Sequence, residues 1–129
     1  AMIDVLDGSA SPDRSKNLKP LLSGKDIVAW AALASANHTD RAVLDYVAAL
    51  AEATREDESS LLGVSTRCAR VWAAAQGRNF VLPDDIKALA VPVWAHRVIV
   101  DPDAAFSGAT AEGVIQRALT SVPAPAVGA

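Results

Sequence analysis

Apolar residues recur at helical spacing along most of the chain, with polar clusters between them. In "LLSGKDIVAWAALASAN" (21–37), Ile27, Trp30, Ala31 and Ala34 share one face, and Ser23 with Asp26 three residues later predicts a capping box at the start. "HTDRAVLDYVAALAEATRE" (38–56) predicts a second helix beginning near Thr39 or Asp40. Its Val43, Leu44, Val47, Leu50 and Ala51 form the most regular amphipathic stripe in the chain. "EDESS" (56–60) predicts an acidic connection. A third helix is then expected with Ser65 as N-cap, Thr66 and Arg67 in its first turn, and Gly77 just past its end.

Two short stretches, about 79–82 and 97–100, are rich in β-branched or aromatic residues and predict a minor two-stranded β element. Between them, "PDDIKALA" (83–90) places Pro83 at a first helical position with Asp84 and Asp85 in the first turn, where acids suit the helix dipole. "DPDAAFSG" (101–108) reads as a loop, and "TAEGVIQRALTSV" (110–122) as a last helix with Val114, Ile115 and Leu119 inward. The expected organisation is an irregular leading segment or linker over 1–20, a helical domain over 21–122 and a tail over 123–129. The fold class is mostly α.

Composition strengthens the helical reading, because alanine, the best helix former, is abundant and aromatics are few. A length of 129 residues suits one domain. The net charge of −3 argues against a nucleic-acid or anionic-membrane partner, either of which calls for a basic footprint. One cysteine, Cys68, allows no internal disulfide, and no apolar run approaches the roughly 20 residues of a membrane span. The beginning lacks a basic stretch followed by an apolar one, so a cytoplasmic location is the default expectation. The abrupt start and the tail "VPAPAVGA" suggest a domain taken from a longer chain.

The sequence contains no Walker A loop, no nucleophile elbow and no zinc-binding His pair. His38 and His96 are far apart and lack further ligands at metal spacing, so no metal site is expected. Asp84 and Asp85 are adjacent and diverge by about 100° on a helix, which suits capping better than acid–base catalysis. Trp30, Trp72 and Trp94 sit in or beside apolar stripes and read as core, and Cys68 reads as a small packing residue. No catalytic residue is expected within this chain alone.

Several motifs occur together and in order: "LDYVAALAEATRE" (44–56), "LGVSTR" (62–67), "GRNFVLPDDIKALA" (77–90), "PVWAHRVIV" (92–100) and "VIQRALTSVPAP" (114–125). With this set the chain resembles the C-terminal lid domain of MoxR-type AAA+ ATPases over most of residues 22–125. The resemblance implies a small helical lid that closes over ATP and Mg bound by a separate P-loop core. It also implies a homo-oligomeric ring in the full-length protein and a chaperone-like role in maturing protein complexes, with von Willebrand factor A domain proteins as possible partners. Arg67 matches the arginine of L-G-x-S-x-R, the sensor-2 residue that reaches the γ-phosphate. Ser65 and Thr66 stand beside it at the expected helix N-terminus.

The residues support that implication physically. A helix N-terminus offers unpaired N–H groups to an anion, and a guanidinium adds a permanent planar cation. Read without the resemblance, the residues favour an exposed or salt-bridged Arg67, paired with the acids at 56–58, and it is the family match that reverses this. Arg78 and Arg97 read as structural partners of Asp84, Asp85 or Asp101, and Arg55 is left open. Two positions depart from the family pattern. Leu82 replaces a usual Thr or Ser cap at a cost of about 1 kcal/mol, and the Arg67–Gly77 interval is shorter by about two helical turns. The alternatives are a stand-alone helical interaction module and a winged-helix DNA binder, the latter opposed by the acidic charge.

Overall fold

Local signals set most helix ends. A computed structural model describes residues 18–54 and 58–126, with the backbone alone over 58–64. Most of the predicted leading segment, residues 55–57 and the last three residues of the tail lie outside the described residues. Among the described residues there are six helices: α1 Gly24–Ala36, α2 Arg41–Thr54, α3 Glu58–Ala75, α4 Pro83–Trp94, α5 Pro102–Phe106 and α6 Ala111–Ser121. The mostly helical expectation holds.

The chain divides into the units Ala1–Trp30 and Ala31–Ala129, with the boundary inside α1. In the first unit the predicted capping box is present. The Ser23 amide donates to the Asp26 carboxylate at 2.7 Å, and the Asp26 amide donates to Ser23 Oγ at 3.3 Å. Trp30 is exposed and is not a core residue.

In the second unit α2, α3, α4 and α6 pack on one another. The core comes from the α2 stripe Val43, Tyr46, Val47, Leu50 and Ala51, from Ala69 and Ala73 of α3, from Ile86, Ala90 and Trp94 of α4, and from Ile115 and Ala118 of α6. Val114 and Leu119 pack at its edge as partly buried residues. Asp40 caps α2, accepting from the Ala42 amide at 2.8 Å, and Thr110 caps α6, accepting from the Gly113 amide at 3.1 Å. Of the three tryptophans, Trp94 alone is core; Trp72 is exposed on α3.

Three expectations are corrected. α3 begins at Glu58, so Ser65, Thr66 and Arg67 lie about two turns inside the helix and Ser65 is not an N-cap. Gly63 does not break it: a helical glycine costs about 1 kcal/mol against alanine, which packing of a long helix offsets. As expected, Arg67 and "CARVWAAA" belong to one helix, which runs on to Ala75.

The expected strand pair 79–82 with 97–100 is absent among the described residues. Residues 95–97 form a turn that continues α4, in which the Val98 amide donates to the Trp94 carbonyl at 3.0 Å. Phe80 instead makes an isolated parallel bridge with His38. The Asn79 carbonyl accepts from the His38 amide at 2.9 Å, and the His38 carbonyl accepts from the Val81 amide at 3.0 Å. Lastly, "DPDAAFSG" is not a plain loop. Asp101 accepts from the Asp103 amide at 2.9 Å and Pro102 opens α5, as acid-then-proline helix starts do.

Candidate functional site

Arg67 sits on the outer face of α3. Among the described side chains of that helix the buried stripe is Ser65, Ala69 and Ala73, and Arg67 is two residues from the first two of these. About 200° of helix rotation therefore separates it from each, which turns it away from the core. Its side chain is exposed, and Val71, one turn on, is 57% exposed. Among the described side chains no carboxylate forms an ion pair with Arg67, and the acids at 56–58 lie outside them.

Ser65, expected beside it at a helix N-terminus, instead faces inward. Ser65 is 4% exposed and accepts a hydrogen bond from Trp94 Nε1 at 2.6 Å. Ile86, Leu89, Ala90 and Val93 close around that pair and leave no room for a water molecule. Thr66 is half-buried. Since the helix starts at Glu58, its unpaired N–H groups are not at this position, and an anion here would meet the guanidinium without the dipole.

Arg78 holds the fold. Arg78 grips Asp85 with both nitrogens, Nη1 to Oδ2 at 2.8 Å and Nη2 to Oδ1 at 2.6 Å, and Asp85 Oδ2 also accepts from the Leu82 amide at 2.8 Å. Asp85 thereby takes over part of the capping that Leu82, which makes no side-chain cap, lacks. Burial alone would raise the Asp85 carboxyl. The hydrogen bonds from Arg78 and Leu82, with the Arg78 charge, outweigh it and hold the group below the ordinary carboxylate value. Arg78 in turn is held above its ordinary value, first by its hydrogen bond to Asp85. Asp84 pairs with Lys87 at 2.9 Å on the surface. The acids at the start of α4 are structural, as expected.

The sequence reading missed Asn37, whose importance lies in contacts made far away in the chain. This side chain, 7% exposed, donates from Nδ2 to the Arg70 carbonyl at 2.9 Å and to the Arg78 carbonyl at 3.1 Å. Arg70, also missed, donates from Nε to Thr39 Oγ1 at 3.1 Å. The 37–39 segment thus ties the middle of α3 to the loop that follows it. A polar residue after an apolar helical run was the available signal, and it read as a simple helix end.

A cleft of about 530 Å³ opens elsewhere, lined by Thr54, Val98, Ile99, Val114 and Arg117 among others. No residue of α3 lines it, so it is separate from Arg67. Among the described residues no three His, Cys, Asp or Glu side chains cluster to hold a metal ion. No helix among them is long and apolar enough to cross a membrane.

The family described as the AAA lid domain matches residues 52–118. The uncharacterized protein YeaC of Bacillus subtilis is 28% identical over 95% of this chain and 41% of its own length. Chaperone MoxR1 of Mycobacterium tuberculosis is 31% identical over 86% of this chain and 34% of its own length. Protein MoxR of Paracoccus denitrificans is 33% identical over 74% and 34%. A solved structure of a candidate ATPase from Cytophaga hutchinsonii superposes with a TM-score of 0.78 at 19% identity, covering 96% of this chain and 42% of that one, and shows a shared fold. The chain spans between 34% and 41% of the length of these curated relatives.

Proposed function

The chain belongs to the AAA lid domain family, in the form found in MoxR-type AAA+ ATPases, and from that premise we propose that it closes over ATP held by a P-loop core and senses the γ-phosphate through Arg67. The observation that carries this reading is the placement of Arg67: an exposed guanidinium on a packed helix, turned away from the lid's own core. A planar fork of N–H donors matches phosphate oxygens, and phosphoryl transfer depends mostly on positioning and charge stabilisation. Mid-helix placement suits such a task, because the backbone there does not fray as a terminus does. Ser65 does not itself touch the phosphate, being engaged with Trp94 inside the lid. Thr66 stays a flanking candidate.

ATP supplies the anionic γ-phosphate, and in this reading its Mg is held by the P-loop core. The Arg67 contact exists with ATP and is lost after hydrolysis, so the nucleotide state would set the lid angle. The same reading places the ATPase in a cytoplasmic ring that helps protein complexes mature, alongside von Willebrand factor A domain partners. Substituting Arg67→Ala in the full-length ATPase is expected to lower turnover at least about tenfold with folding retained. Unchanged turnover would refute the role of Arg67.

A further inference from the structure

Over its described side chains, the buried residues of α3 are all small. Ser65, Ala69 and Ala73, all buried, lie at i, i+4 and i+8, and none reaches far. Helices lock by ridges entering grooves, and a row of such small residues builds a low ridge. Along the stretch from Ser65 to Ala73, shape therefore restrains rotation of the helix less than directional bonds do. Directional bonds supply what shape lacks. Trp94 Nε1 donates to Ser65 Oγ at 2.6 Å, in a space too tight for water, and Asn37 holds the Arg70 carbonyl at 2.9 Å.

Ser65 is two residues from Arg67 on this helix, so fixing one fixes the direction of the other. A rotation of about 10° moves a group at the outer radius of a helix, roughly 5–6 Å from its axis, by about 1 Å. Displacements of about 1 Å are known to cost up to about 100-fold in rate. We propose that the Trp94–Ser65 hydrogen bond is a positioning device that sets the rotation of α3 and thereby aims Arg67, which makes Ser65 and Trp94 positioning residues for nucleotide turnover. The inference rests on the reading of Arg67 as the phosphate contact. It also explains why a polar pair stands in an otherwise apolar part of the core. With the acceptor removed, the indole N–H has no water to turn to, and α3 must shift to relieve it.

The test is a double-mutant cycle in the full-length ATPase with the wild type, Ser65→Ala, Arg67→Ala and the double variant. Turnover and KM for ATP are measured, and a thermal melt of each protein gives the folded fraction. Ser65→Ala is expected to lower kcat about fivefold with KM within about twofold, and to add less than about 1.5-fold once Arg67 is gone. Trp94→Phe, which removes the same hydrogen bond from the donor side, is expected to give the same pattern. The inference is overturned if both variants keep wild-type kcat, or lose it by equal factors with and without Arg67. It is likewise overturned if both lose turnover only in proportion to unfolded protein. If Arg67→Ala itself leaves turnover unchanged, the Arg67 reading fails first, and that outcome is distinct from the others.

Discussion

Asp85 is 4% exposed, yet it carries a charge because three donors surround it: both Arg78 nitrogens and the Leu82 amide. Its carboxyl sits below the unfolded value of about 3.9. The stabilisation is therefore complete above that value and is lost as pH falls through the lower folded value. Replacing Asp85→Asn leaves Arg78 half-buried without its counter-charge, for an expected loss of about 3 kcal/mol at pH 7. Urea unfolding at pH 7 and again near pH 2 checks this: the gap between variant and wild type should shrink at low pH. An equal gap at both contradicts the assignment. At this scale a structural role for Arg78 was readable from its short motif around a turn, with Asp85 one of three candidate partners that only the fold could separate. The role of Ser65 was not. A serine after a polar stretch and a glycine looks like a cap from sequence alone, and its partner Trp94 lies 29 positions away.

Helices were legible where local chemistry ends them. α3 stops at Ala75 because Gly77 takes φ 74°, letting the Arg78 amide reach the Ala73 carbonyl and the Gly77 amide the Ala74 carbonyl, both at 2.9 Å. No atom would meet a Cβ on Gly77. Gly77→Ala should therefore cost only the backbone strain of the left-handed region, about 1 kcal/mol, read as a lower denaturant midpoint with an unchanged slope. Wild-type stability in that variant would contradict this account of the helix end. The start of α3 was hidden for a converse reason: a run of Glu and Ser is as compatible with a first helical turn as with a linker. The β element failed through tertiary context. Val98 is 9% exposed and joins the helical core, while the bridge from Phe80 goes to His38, 42 positions earlier, which no local pattern encodes.

At the scale of the molecule, order of motifs carried more than periodicity did. Helical spacing predicts a helical domain of any kind, whereas the series from "LGVSTR" to "PVWAHRVIV" points to a lid, and the AAA lid match over 52–118 agrees. Most of that series holds the fold: Arg78 and Asp85 form the clamp, and Ser65 and Trp94 bond inside the core. Arg67 stands apart, exposed on the outer face of α3. The central claim is that it contacts a phosphate present in ATP and absent from ADP. Calorimetric titration of the full-length ATPase with a non-hydrolysable ATP analogue and with ADP tests this directly. Arg67→Ala should weaken analogue binding about tenfold, the loss of one charge-assisted contact, while ADP affinity stays within about twofold. Equal weakening of both nucleotides, or of neither, would contradict a γ-phosphate contact at Arg67.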